Sequence, residues 1–321
     1  MRARTAAAAS IALALVQYRL IFIILGSDYA RSIAAAFGVV HGKPHWRIYQ
    51  SRILGPYLVN GLTNVLGSGA KAYVLTTIAL LVIAGLLACR LGNRVAGAAG
   101  AWRALFATHA VFLFLLSKPW LYIWDYYDLV IFLAFTLFVI EKRPTAWFVG
   151  LWLAGMVNHE IALFIGIWLG VDGMMKRFDW VRIAVSAATI VGGLVLIELL
   201  RRGLLVEEVG PKLFADVSKP SSGSFYFALG RNVHDTWNML TTWDYQLLVL
   251  LLPFVAGIAL VGWWVWRQEP AWRSLAVVNV LMLGALLTFG MLIEPRIYIV
   301  LIPLIALAAA LTARPAAAPA A

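Results

Sequence analysis

Long apolar runs alternate with short charged clusters along almost the whole chain, and that alternation predicts helices of membrane length. An α-helix needs roughly 20 apolar residues to cross ~30 Å of hydrocarbon. Runs approaching that length are Ala6–Leu25, Ala70–Leu91, Ala104–Leu116, Tyr126–Ile140, Ile183–Leu200, Gln246–Trp266, Ser274–Ile293 and a last one ending near Leu311. Two stretches break the pattern. Ile53–Leu66 is short, is interrupted by Pro56 and Gly61, and carries Asn60 and Asn64 on one helical face, which predicts an interfacial or re-entrant helix. Thr145–Met175 is too long for one span and short for two, with Asn158, His159 and Glu160 near its centre. It predicts a hairpin of two short helices with that tripeptide at the apex.

Composition sharpens this picture. The chain is 63% hydrophobic and only 13% charged, with a mean hydropathy of +0.87. The fold class expected is all-α: a polytopic helical membrane protein of roughly nine to ten transmembrane helices, with an interfacial helix after the first external loop. Residues 1–312 read as a single transmembrane domain and 313–321 as a disordered Ala/Pro tail. The basic start and apolar core of the N-terminus also suit a signal peptide, but the apolar stretch is longer than a signal core needs, so it reads as an uncleaved first span. The single cysteine, Cys89, allows no internal disulfide.

Charge sets orientation. The net charge of +11 does not form a nucleic-acid patch, because the basic residues sit in short clusters between apolar runs. Placing Arg2 and Arg4 inside also puts Arg90–Arg103, Glu141–Arg143, Lys176–Arg182, Arg267–Arg273 and Arg314 inside, provided Ile53–Leu66 does not cross. Both termini are then cytoplasmic in a multi-pass protein of the inner (plasma) membrane. The remaining polar segments, Asp28–Arg52, Lys118–Asp128, Asn158–Glu160, Arg201–Thr242 and Glu294–Arg296, all fall on the external face. Arg19 lies within two turns of the outer end of its span, close enough for its side chain to reach the headgroups.

The candidate chemistry lies on that face. Asp28 either pairs with Arg31 at i,i+3 or, at the rim of a low-dielectric cavity, takes up a proton as a general base. Arg52 stands at the N-terminus of the interfacial helix, where the helix dipole disfavours a cation unless a lipid phosphate or a carboxylate lies beside it. Asp125 and Asp128 share a helical face and read as a helix start, with Asp125 as N-cap, or as ligands for acceptor or sugar hydroxyls. His159 and Glu160 interrupt an apolar run with no nearby counter-charge in sequence, so they either face a cavity, where they would orient acceptor or sugar hydroxyls, or break the helix at the apex. Leu163 stands where a second zinc histidine would be in an HExxH motif. Glu294 caps the last span or joins the acceptor- or sugar-binding residues, and Arg296, again on the wrong side of a helix dipole, would form an anion clamp with Arg52 and Lys118. No cofactor is demanded; a divalent cation would need further oxygen ligands from other loops.

A short basic start, one span, an external Asp28-Tyr29-Ala30, the stretch Gln50-Ser51-Arg52-Ile53-Leu54-Gly55-Pro56 and an outer Glu294-Pro295-Arg296 resemble, in layout, the integral-membrane glycosyltransferases of the C superfamily. Those enzymes use polyprenyl-phosphate-linked sugars. The resemblance implies that Asp28 is the first-loop acid serving as catalytic base and that Arg296 contacts the donor phosphate. The chain departs from the pattern in having no pair of adjacent acids after its first span. The function expected is transfer of a sugar from a polyprenyl-phosphate lipid to a glycan, lipid or protein acceptor at the external, periplasmic side. Two rivals use the same residues: a transporter or flippase for a lipid-linked or anionic substrate, and a non-catalytic subunit whose external loops bind a partner.

Overall fold

The computed structural model describes residues 3–44, 46–116, 120–176, 178–206, 214–215, 225–292 and 294–314. Lys118 and the tail from 315 onward lie outside them. Twelve α-helices build the described chain: α1 Ala3–Leu25, α2 Asp28–Val40, α3 Leu54–Leu66, α4 Gly69–Phe114, α5 Ile123–Ile140, α6 Thr145–Met156, α7 Leu163–Met175, α8 Trp180–Leu204, α9 Leu229–Thr242, α10 Tyr245–Gln268, α11 Arg273–Phe289 and α12 Ile302–Leu311. The one strand pairing among these residues is a two-residue parallel match of Phe214–Ala215 with Phe225–Tyr226. Among the described residues, five helical stretches are long and apolar enough to cross a membrane: Arg4–Leu25, Gly69–Phe114, Ile123–Ile140, Trp180–Leu204 and Pro270–Phe289. The α6 segment and Pro295–Leu311 are apolar but shorter.

The longest of these is two legs, not one. Ala96 (φ −148°, ψ 31°) and Gly97 (φ 62°, ψ −151°) leave helical geometry and fold α4 back on itself. Gly97 supplies the positive φ that a side chain resists. Gly92 and Gly100 let the two legs touch, since a Cβ on Gly92 would collide with the carbonyl of Gly100. The residues between the runs Ala70–Leu91 and Ala104–Leu116 are therefore helical except at this fold. Both legs form the hub against which α1, α3, α5 and α12 pack.

The short helix after the first polar segment does not run from one end of the bundle to the other. Gly55, at the start of α3, lies against Ile123 at the start of α5, and Gly69, just past its end, lies against Phe37 of α2. Both ends of α3 thus sit at one end of the bundle, and Gly67 terminates it in the left-handed region (φ 65°). The expected hairpin is also present, with α6 and α7 joined through Asn158, His159 and a 3₁₀ turn at Glu160–Ala162. The external polar segment Asp28–Arg52, expected as a loop, instead contains α2. That helix buries Tyr29, Ser32, Ala35, Ala36 and Val39 on one face, an amphipathic pattern hidden by the run of alanines.

Charged residues gather at the two ends of the bundle in different ways. At one end Glu141 accepts from Arg90 (2.7 Å), Arg94 (3.1 Å) and Arg143 (2.7 Å). Arg314 there donates to the Val95 carbonyl (3.2 Å) and to Glu269 (2.9 Å). Asp172 pairs with Lys176 (3.0 Å) and Arg182, and accepts from Ser274 (3.0 Å). This is the end expected to face the cytoplasm. The other end holds Asp28, Arg52, Asp125, Asp128, His159, Glu160, Glu294 and Arg296, so the polar segments grouped by the charge pattern do converge in space.

Glu141 ties the turn of α4 to the end of α5. Burial alone would push its carboxyl up, but Arg90 and Arg143 outweigh burial and hold it below the ordinary value of 4.5. A carboxylate with a lowered folded pKa contributes stability that is complete above its unfolded value and is lost as pH falls through the folded one. Glu141→Gln is expected to destabilise the protein by about 1–2 kcal/mol at neutral pH, because three partly exposed arginines lose their charge partner. The loss should shrink below pH 4.5. Thermal melting in detergent at pH 7 and pH 4 measures both; a pH-independent difference would sink the electrostatic account.

Candidate functional site

The end of the bundle opposite Glu141 holds a cavity of about 450 Å³. One end of it is ionic, lined by Arg52, Asp125, Asp128, His159, Glu160, Glu294 and Arg296. The rest is apolar, walled by Leu163, Phe164 and Ile167 of α7 and by Ala285, Leu286 and Phe289 of α11. A second cavity of about 640 Å³ adjoins it, lined by Asp28, Arg31, Lys43, Trp120, Tyr122 and Arg231 among others. Trp46, Tyr49, Met291 and Glu294 line both, and so form the partition between them.

Arg52, His159, Glu160, Glu294 and Arg296 stand at breaks between α-helices, and Asp125 and Asp128 lie in the first turns of α5. Arg296 follows Pro295 in a 3₁₀ turn, Pro295–Leu301, that precedes α12. Its guanidinium donates to both oxygens of Asp125 (3.1 and 3.2 Å) and to Glu294 (2.8 Å), and it stacks over Tyr122 at 4.6 Å. Glu294 makes no side-chain cap; its carboxylate goes to Arg296 instead. Asp125 is not the N-cap of α5. It lies in the first turn and reaches back to accept the Tyr122 N–H at 2.8 Å, a reach that leaves its oxygens facing Arg296.

Arg52, just before α3, does have the anion that its position requires. Its Nη2 lies 3.2 Å from Glu160 Oε1, while the guanidinium stacks on Tyr49 (4.6 Å) and Trp124 (5.3 Å). Arg201, fully buried at the end of α8, lies 3.6 Å from the same Glu160 oxygen. Burial alone would push the Glu160 carboxyl up, but Arg52, His159 and Arg201 together hold it well below the usual carboxylate range. Beside this group, Arg47 pairs with Glu198 of α8 at 3.3 Å.

His159 is fixed by a chain of hydrogen bonds. Its Nδ1 bonds Asp128 Oδ2, and Asp128 Oδ1 accepts from Asn158 Nδ2 at 2.8 Å. Asn158 Nδ2 also donates to the Trp124 carbonyl at 3.0 Å. An Asp–His pair held in this way orients the ring and sets which nitrogen faces outward; here Nε2 lies 3.9 Å from Glu160 Oε1.

Asp28 stands apart from this group. It lines the second cavity and pairs with Arg31 at 2.7 Å, the local i,i+3 contact anticipated from sequence. Helix α9, within the external segment Arg201–Thr242, borders the second cavity. Asn232 of α9 donates to the carbonyls of Leu287 and Gly290 (both 2.7 Å) and accepts the Leu292 N–H (2.8 Å), while Arg231 beside it lines the second cavity. Of the anticipated residues, Arg52, Asp125, Asp128, His159, Glu160, Glu294 and Arg296 therefore meet in one cavity and Asp28 borders its neighbour. Arg47, Glu198 and Arg201 were not anticipated. Glu198 is a lone acid near the end of an otherwise apolar span, and that was the signal available. Among the described residues no group of three or more His, Cys, Asp or Glu is arranged to hold a metal ion.

Arg296 neutralises two buried carboxylates, so removing it leaves both uncompensated. Arg296→Met is expected to cost about 3–5 kcal/mol. The double variant Arg296→Met/Asp125→Asn should recover part of that loss, as read by thermal melting in detergent. A single variant as stable as the parent would show that the triad carries no load.

Comparison of the chain with family models, with curated proteins and with solved structures gives no match. Its chemistry has to be read from this geometry.

Proposed function

We propose that the chain is a membrane-embedded, inverting glycosyltransferase that takes a sugar from a polyprenyl-phosphate lipid at the external face of the inner membrane. The observation that carries this reading is the first cavity, with cations and hydrogen-bonding groups at one end and a purely apolar wall between α7 and α11 at the other. An amphipathic ligand with an anionic headgroup and a hydrocarbon tail suits that division, since each part meets its own kind of surface. The layout resemblance described above supports the same reading independently.

In this reading the lipid tail lies along the α7 and α11 wall and the phosphate is met by Arg52. That guanidinium commits Nη2 to Glu160, and its Nε has no partner among the described residues. Arg296 acts more indirectly, holding Asp125 and Glu294 in place for the sugar hydroxyls. The sugar points to the partition shared with the second cavity, where the acceptor enters. Asp28 then takes the acceptor hydroxyl's proton as the new glycosidic bond forms on one face of the anomeric carbon and the phosphate leaves from the other. The acceptor, whether glycan, lipid or protein, occupies a cavity lined by aromatic and charged side chains.

Asp28→Asn is expected to lower transfer by about 10²–10⁴-fold, the range of a lost general base. Polyprenyl-phosphate binding should stay within about twofold of the parent, because Asp28 does not line the donor cavity. Transfer from a panel of radiolabelled polyprenyl-phosphate sugars, measured with both proteins in nanodiscs, reads the first effect. Unchanged transfer by the variant would remove Asp28 from the reaction.

A further inference from the structure

Three cationic or potentially cationic groups converge on one oxygen atom. Glu160 Oε1 lies 3.2 Å from Arg52 Nη2, 3.6 Å from Arg201 Nη2 and 3.9 Å from His159 Nε2. The three come from separate parts of the chain, and only His159 is a neighbour of Glu160 in sequence. The other carboxylate oxygen, Oε2, is buried with no partner among the described residues. A carboxylate kept only for structure would be expected to engage both oxygens, since a buried unpaired acceptor costs about 1–3 kcal/mol. Two guanidinium groups and an imidazole backed by Asp128 are a better match for a phosphate, whose several oxygens each accept.

We infer that Arg52, Arg201 and His159 form the phosphate site and that Glu160 is an internal stand-in which the ligand displaces. This rests on the transferase reading and deepens it, because it adds Arg201 to the donor site and gives Glu160 a role opposite to that of a binding residue. Glu160 satisfies the cations in the empty protein and competes with the incoming anion. The groups of like and opposite charge around it are Asp128 behind His159, Asp125 farther along α5, and Glu198, which pairs with Arg47 beside Arg201. Displacement requires only that the side chain swing out. Glu160 sits in the short 3₁₀ turn of the hairpin, not within a long helix, and it keeps 23% side-chain exposure toward the cavity.

The test is binding of a polyprenyl phosphate to the full chain in phosphatidylcholine nanodiscs, compared with inorganic phosphate in the same preparation. Glu160→Gln keeps the shape and removes the competing charge, so it should bind the lipid phosphate about tenfold more tightly than the parent. Arg201→Gln and Arg52→Gln should each weaken binding by about tenfold or more. If Glu160→Gln is poorly folded, Glu160→Asp, which withdraws the oxygen from the point of convergence, should show a smaller gain of the same sign. Lipid phosphate bound equally or less tightly by the Glu160 variants overturns the displacement inference and leaves the transferase reading standing. Inorganic phosphate bound as tightly as the lipid, with the same variant pattern, supports the site and overturns the lipid donor. No binding of either ligand by the parent overturns both.

Discussion

Charge compensation inside a poorly polarisable interior is the constraint on which this end of the molecule depends. Removing an ion from water costs several kcal/mol even after relaxation, so a buried arginine persists only where a carboxylate and further hydrogen bonds meet it. Arg47, Arg52 and Arg296 are nearly buried and Arg201 fully so. Each is matched by an acid far away in sequence or on another element, apart from the local Glu294: Glu198 for Arg47, Glu160 for Arg52 and Arg201, Asp125 for Arg296. These pairs fasten the segment before α3, the start of α5, the hairpin apex, the end of α8 and the entry to α12 to one another. Apolar packing between helices would leave those ends free to shift; the ion pairs fix which of them meet.

The same constraint explains what could be read in the sequence. Arg52 and Arg296 stood out because each lay at a helix N-terminus, where a cation needs an anion. The structure supplies Glu160 and the Asp125–Glu294 pair. The hairpin was legible because Asn158, His159 and Glu160 interrupt an apolar run too short for two full spans. Arg201 was not legible, since an arginine after an apolar run reads as a loop start. Only the fold reveals that α8 continues to Leu204 and carries Arg201 inward. The α2 helix was hidden for a similar reason: Ala34, Ala35 and Ala36 give a weak contrast between faces, and its polar ends, Asp28 and Arg31 at one side and Lys43 at the other, suggested a loop. The two legs of α4 were legible as apolar runs, Ala70–Leu91 and Ala104–Leu116. The helical path between them, broken only at Ala96 and Gly97, was not, because Gly92 and Gly100 read as loop residues although they form a close helix contact.

The two cavities share a partition, and that partition is built from the compensated charges as well. Glu294 faces both cavities while its carboxylate is held on Arg296, which stacks on Tyr122 of the second cavity and bonds Asp125 of the first. A change on either side is therefore felt by a single rigid group. This arrangement suits a reaction that must bring two substrates to one point from opposite sides, because the distance between the sites is set by ion pairs and not by mobile loops.

A fully compensated site is stable but chemically inert toward an added anion, unless one of its carboxylates can leave. Asp125 is engaged through the Tyr122 N–H and two bonds to Arg296, and Glu294 shares that guanidinium, so neither is easily released. Glu160 differs on two counts. One of its oxygens has no partner among the described residues, and it lies in a turn at the rim of the amphipathic cavity. Its carboxylate can therefore leave Arg52 by rotation of its own side chain, with no helix disturbed. That is the property required of a group whose place an anionic ligand takes.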